Sequence, residues 1–184
     1  FVAAQEGHLE VVRFLVESGA NKDQCMRNPL FVAAQEGHLE VVRFLVESGA
    51  NKDQRMGNPF FVAAEKGHIQ VVRFLVESGA NKDQGLTDNA LYVAAQKGHI
   101  EVVRFLVESG ANKDQGMIHG ATPLFQAALK GHVEIVRFLV ESGANKDQGR
   151  TDGAKPLFVA SEEGHAEVVR FLVESGANKD QGKT

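Results

Sequence analysis

The sequence predicts an all-α solenoid of stacked helix-turn-helix pairs. Three observations lead there: six near-identical copies of one unit, helix boundary signals at matching places in each copy, and a second helix too apolar to be covered from one side only. Residues Phe1 to Gln24 (FVAAQEGHLEVVRFLVESGANKDQ) recur unchanged at Phe31 to Gln54, and four further copies begin at Phe61, Tyr92, Phe125 and Phe158. Units therefore start near residues 1, 31, 61, 92, 125 and 158, and the run VVRFLVESGANKDQ varies only where Ile135 stands for the first Val. A unit of about 30 residues buries too little surface to fold alone, so a single solenoid over residues 1–184 is expected.

Each unit reads as two short helices and a connecting finger. The first helix is expected to begin at Asn28-Pro29, Asn58-Pro59 or Thr122-Pro123. There a side-chain oxygen accepts from a free N–H of the first turn, and Pro occupies the first helical position, where its missing N–H matters least. The helix should end at Gly7, Gly37, Gly67, Gly98, Gly131 and Gly164, each a residue suited to the left-handed conformation that closes a helix. The second helix should run from about Leu9 to Ser18 and stop at Gly19. On it Glu10, Arg13 and Glu17 recur at spacings of three and four, which predicts a solvated ion-pair ladder on one narrow stripe. Every other position from Leu9 to Val16 is apolar, so neighbouring units on both sides are needed to cover it. Both helices are too short to persist alone, and stacking must supply their stability.

Composition narrows the functional classes. The chain carries 24 acidic and 20 basic residues for a net charge of −4, which gives no basic field for a nucleic acid. Cys25 is the only cysteine, so no intrachain disulfide can form, and a reducing, intracellular compartment is the expectation. The longest run without a charged residue, Gln115 to Leu129, contains Gly, His, Thr and Pro and falls short of a membrane span. Direct membrane insertion is not expected.

The residues themselves carry a family resemblance. Thr122-Pro123-Leu124-Phe125-Gln126-Ala127-Ala128, then Gly131-His132-Val133-Glu134-Ile135-Val136 and Gly143-Ala144, resembles the ankyrin repeat pattern TPLHxAAxxGHxEVVxxLLxxGA, and the likeness runs through all six copies. It implies stacked helix pairs with β-hairpin or turn fingers, and protein binding on the concave side formed by fingers and first helices. The His of that pattern is replaced by Phe31, Phe61, Tyr92, Phe125 and Phe158, which implies a packed aromatic where the family hydrogen-bonds. The linker from Asp23 to Phe31 is three residues shorter than that from Asp114 to Phe125, so stubby fingers are expected early and full hairpins only before the last two units. Solenoid ends normally carry polar caps. Phe1 instead starts within a first helix and the last helix keeps Val168, Val169, Phe171 and Leu172, so the chain is expected to be a segment of a longer array or to pack its ends on other proteins.

Motifs with chemical meaning reduce to structural ones. Gly176 to Thr184 ends in Gly-Lys-Thr, but five residues separate its glycines where a phosphate-binding loop needs four, and no helix follows. The Asn-Lys-Asp triplet appears in every copy and reads as a turn in which Asn tolerates left-handed geometry and Asp caps its own backbone. His8, His38, His68, His99, His132 and His165 occupy one turn per unit; packed helices lie about 10 Å apart, too far for two imidazoles to share a zinc ion. Hydrogen bonding from each turn to the next finger is the expected role. Ser18 and its copies precede helix-ending glycines with no base beside them, so no nucleophile is identified. No cofactor, metal or small-molecule substrate is expected, and no catalysis.

Function should reside where the copies differ. One such zone is the fingers, with Met26, Arg27, Met56, Leu86, Asp88, Met117, Ile118 and His119; the other is the solvent side of the first helices, with Leu129 and Lys130 the most divergent pair. Flexible thioethers on a ridge suit a partner surface, and inward packing that closes the gap between stubby fingers is the competing reading. The expected function is a non-catalytic interaction module whose partner is another protein, within a multi-subunit complex or alone. The alternative is a structural scaffold or spacer held permanently in a larger assembly.

Overall fold

In the computed structural model, residues 1–23, 28–53, 57–79, 90–117 and 119–179 are described. All regular structure among them is helical, twelve helices in six pairs. The chain divides into two compact units, Phe1–Lys82 and Asp83–Thr184. The first holds α1 (Val2–Gln5), α2 (Leu9–Glu17), α3 (Pro29–Glu36), α4 (Leu39–Glu47), α5 (Pro59–Lys66) and α6 (Ile69–Glu77). The second holds α7 (Ala90–Lys97), α8 (Ile100–Glu108), α9 (Pro123–Leu129), α10 (Val133–Glu141), α11 (Pro156–Glu162) and α12 (Ala166–Glu174).

The expected boundary chemistry is in place. Asn28 Oδ1 accepts from the Phe31 N–H at 2.8 Å, Asn58 Oδ1 from Phe61 at 3.0 Å and Thr122 Oγ1 from Phe125 at 3.1 Å, each with Pro at the first helical position. Gly37 closes α3 at φ 80°. The second helices stop at Glu17 and its copies, one residue short of the expected Ser.

Within each unit the odd-numbered helices pack in one row and the even-numbered in a second: α1, α3, α5 beside α2, α4, α6, and α7, α9, α11 beside α8, α10, α12. The first-helix row is dense because its central positions are alanines, with Ala33, Ala34, Ala63, Ala64, Ala94 and Ala95 all fully buried. Leu45, Leu75, Leu106, Leu139 and Leu172 of the second helices fill the space between rows. Of the aromatics standing where the family has His, Phe125 is buried, whereas Phe31, Phe61, Tyr92 and Phe158 are half-buried.

Successive repeats are joined by a polar code. The ring Nε2 of His38 lies 2.8 Å from the Gln5 carbonyl oxygen, His68 Nε2 2.8 Å from Gln35, His132 Nε2 3.1 Å from Gln96 and His165 Nε2 3.1 Å from Leu129. A carbonyl oxygen only accepts, so Nε2 carries the hydrogen in all four. The partner is thus the end of the preceding first helix, not the next finger as the sequence suggested. The imidazole stands so close to the preceding glycine that a Cβ at Gly37 would meet Nδ1 of His68 at 2.6 Å, and one at Gly7 would meet Nδ1 of His38 at 2.7 Å. Glycine therefore serves both the left-handed turn and the neighbour's ring.

The Asn-Lys-Asp turns also differ from expectation. Asn21 Oδ1 accepts from the Asp23 N–H at 2.9 Å, and Asn51, Asn112 and Asn145 repeat this closure. Asp is thereby released to reach the next repeat: Asp23 Oδ1 accepts from the Asn51 N–H at 3.1 Å, Asp114 from Asn145 at 2.8 Å and Asp147 from Asn178 at 2.8 Å. No non-glycine residue described has positive φ, so Asn uses its side chain and not left-handed backbone.

The ion-pair ladder gives way to stacking. Arg13 lies over the Phe44 ring with Cζ 4.8 Å from the centroid, Arg43 over Phe74 at 4.6 Å, Arg104 over Phe138 at 4.7 Å and Arg137 over Phe171 at 4.7 Å. Arg104 also pairs at 3.8 Å with Glu134, on the following repeat. A planar guanidinium on a ring face keeps its charge in water while covering apolar surface, which a spacing rule within one helix does not anticipate. Arg43→Ala is therefore expected to reduce unfolding stability by about 0.5–1 kcal/mol, while Glu47→Gln leaves it unchanged. Denaturant titration of both variants checks this, since a within-helix ion pair requires equal losses.

Candidate functional site

Met117, His119, Leu129 and Lys130 are the sequence-derived site residues whose placement is described; Met26, Arg27, Met56, Leu86, Asp88 and Ile118 lie outside the described residues. The finger before α9 is closed by the Met117 N–H donating to Ala121 O at 3.0 Å and Gly120 N–H to Met117 O at 2.6 Å. The finger before α11 repeats this, with Arg150 N–H to Ala154 O at 2.8 Å and Gly153 N–H to Arg150 O at 3.0 Å. The two are linked by the Thr151 N–H donating to His119 O at 2.9 Å. Hairpin-type bonding is thus present in both long fingers, although no described residue forms a strand. Each finger is pinched at its base: a Cβ at Gly116 would lie 2.9 Å from the backbone of Gly120, and one at Gly149 2.8 Å from the carbonyl oxygen of Ala154.

Met117 is half-buried and His119 is exposed. Leu129 and Lys130 stand at the opposite end of α9, which has 7 residues and so places them about 10 Å along the helix axis from the finger base. The Leu129 carbonyl does the shared work of accepting from His165, so only its side chain is distinctive; that side chain is half-buried, and Lys130 is exposed.

A polar cluster that the sequence reading passed over lies on the same helix row. Gln126 occupies the position held by Val in all five other copies and is 7% exposed. Its Nε2 donates to the Tyr92 hydroxyl at 2.5 Å and its Oε1 accepts from Gln96 Nε2 at 3.4 Å. Arg150 reaches from the second finger over Phe125, with Cζ 5.5 Å from the ring centroid, and is held by Asp152, which accepts from Nε at 3.2 Å and from Nη2. Burial pushes the Tyr92 hydroxyl above its usual pKa, and the Gln126 hydrogen bond and the nearby Arg150 charge partly offset that rise. The signal was present in the sequence: Gln126 is the one polar residue in an apolar column, and Tyr92 the one hydroxyl in an aromatic column.

Among the described residues no group of three or more His, Cys, Asp or Glu side chains is placed to hold a metal ion, and no helix is long and apolar enough to cross a membrane.

Tyr92 is the only tyrosine and there is no tryptophan, so ultraviolet titration reads this one phenol. Its midpoint is expected above the usual value of about 10 and should rise further in Gln126→Val, because the amide donor favours phenolate over phenol. A midpoint unmoved by the substitution contradicts the cluster.

Comparison with known proteins agrees with this geometry. A family model for ankyrin repeats matches residues 1–56, 52–117 and 113–183. The human ASB11 ankyrin repeat domain is similar over 99% of this chain and 85% of its own, at 28% identity and a TM-score of 0.92. The ankyrin repeat domain of Bcl-3, a member of the IkappaB protein family, is similar over 99% of this chain and 87% of its own, at 30% identity and a TM-score of 0.82. No curated protein sequence matches the chain significantly. Helix pairs, glycine stops, fingers and family match agree: the chain belongs to the ankyrin repeat family.

Proposed function

We propose that the chain is a non-catalytic module that holds a partner protein through its fingers and the exposed sides of its first helices, using Met26, Arg27, Met56, Leu86, Asp88, Met117, Ile118, His119, Leu129 and Lys130. The observation that carries the reading is a division of labour among residues. Positions shared by the copies are occupied with contacts inside the array: His38 and His68 with carbonyls, Asp23 and Asp114 with the next turn, Arg13 and Arg43 with phenyl rings. Of the described positions that differ, His119 and Lys130 are exposed and Met117 and Leu129 half-exposed, while Gln126 is buried. A few apolar anchors within a polar rim form an ordinary protein-binding surface. The family's general role as an interaction module supports the reading as well.

The test is affinity capture followed by direct titration of the purified partner. Met117→Ser combined with Ile118→Ser and Lys130→Glu is expected to weaken binding at least about tenfold, or by roughly 1.4 kcal/mol. Glu40→Gln, on the exposed side of α4, should leave binding unchanged. Equal affinity of the triple variant and the parent protein rules out this surface.

A further inference from the structure

Three residues that break the repeated pattern lie together in the second compact unit. Tyr92 stands in a column of Phe, Gln126 in a column of Val, and Arg150 on the finger before α11. The buried Gln126 amide is fixed on both sides, donating to the Tyr92 hydroxyl at 2.5 Å and accepting from Gln96 at 3.4 Å. Tyr92 itself is half-buried, so its ring reaches the exposed edge of the cluster.

Arg150 is held as firmly as the amide. Its guanidinium lies over the Phe125 ring, with Cζ 5.5 Å from the centroid, and Asp152 accepts from Nε at 3.2 Å and from Nη2. Asp152 is in turn tied to the backbone, its Oδ1 accepting from the Ala154 N–H at 3.2 Å. This grip uses the Nε side of the guanidinium fork and does not use the two Nη1 hydrogens. The Arg150 side chain remains 38% exposed, which leaves room for a partner to reach it. The charges are unevenly placed as well. Asp152 and Glu162 both act on Arg150, whereas the charge that acts on the Tyr92 hydroxyl is that of Arg150. The field at the hydroxyl is therefore positive, although carboxylates stand close by.

We propose that the exposed edge of this cluster takes an aspartate or glutamate side chain of the partner protein, whose carboxylate lies beside the Tyr92 hydroxyl and accepts from Nη1 of Arg150. The inference rests on the reading of the chain as a protein-binding module and names the chemistry of one contact. An arginine already stacked on a ring and clipped by a carboxylate loses little side-chain freedom when a partner arrives, which suits it to be an anchor. A cation brought to the same place would meet the Arg150 charge, and a neutral amide would forgo the stronger charge-assisted bond.

Calorimetric titration of the 184-residue chain with hexaglutamate and hexaglutamine tests this, both peptides acetylated and amidated so that side chains alone differ. The chain has a net charge of −4, so its overall field opposes hexaglutamate and any preference for that peptide reports a local site. Hexaglutamate is expected to bind at least about tenfold more tightly than hexaglutamine. Arg150→Gln should erase the preference, and Arg150→Lys, which keeps the charge without the fork, should retain part of it. Circular dichroism checks that both variants fold. Position is read separately in the unsubstituted protein: a carboxylate beside the phenol opposes its ionisation, so saturating hexaglutamate should raise the ultraviolet titration midpoint of Tyr92. Equal binding of the two peptides, no binding of either up to about 10 mM, a preference that survives Arg150→Gln, or an unmoved Tyr92 midpoint overturns the proposal. Loss of partner binding in the Met117, Ile118 and Lys130 triple variant is independent of these results, so the two readings fail separately.

Discussion

Within each compact unit the structure depends on one directional constraint: a repeat offers a carbonyl and a glycine gap to the imidazole of the next. Neither helix of a pair is long enough to persist alone, and apolar packing by itself does not fix how far one pair slides along another. The His Nε2 hydrogen bond does, because it joins a side chain to a particular backbone oxygen at 2.8–3.1 Å. Once this register is set, Asp23 meets the Asn51 amide and Arg13 meets the Phe44 ring without further adjustment. Each repeat carries both the giving and the receiving parts, which accounts physically for the near-identity of the copies at these positions.

The same constraint separates scaffold from surface. A residue engaged in the joint has little freedom to vary, and among the described residues that do vary are His119 on a finger, Lys130 at the end of a first helix and Gln126 within one. Gln126 shows what variation means inside this frame. It replaces Val at a position 7% exposed, yet leaves no buried polar group unsatisfied, because Tyr92 and Gln96 lie within hydrogen-bonding reach. With Arg150 stacked over Phe125, the second unit acquires a polar cluster that the shared sequence alone would not produce.

Much of the fold was legible in the sequence because its signals are local. Asn28 and Asn58 before Pro, and glycine at each helix stop, act on atoms only a few residues away, and the structure places those contacts as expected. What escaped the sequence reading was the identity of partners across repeats. Asn and Asp two residues apart are equally able to close an Asx turn; geometry gave that task to Asn21 and left Asp23 for the neighbour. Arg13 has acidic residues at helical spacing on its own helix, but the Phe44 ring of the next repeat lies within its reach and accepts it without desolvating the charge. A repeat period reveals that copies stack, and not which atoms meet.

The most direct measurement compares one substitution at two places with the same local sequence. His68→Ala removes a ring bonded to the preceding repeat at 2.8 Å, while His8→Ala removes a ring for which no preceding carbonyl is described. In dilute solution, chemical denaturation of the two variants should show His68→Ala losing about 1–3 kcal/mol and His8→Ala within about 0.5 kcal/mol of the parent. Equal losses at both positions would mean that the histidine stabilises its own turn, and the account of the joint would be wrong.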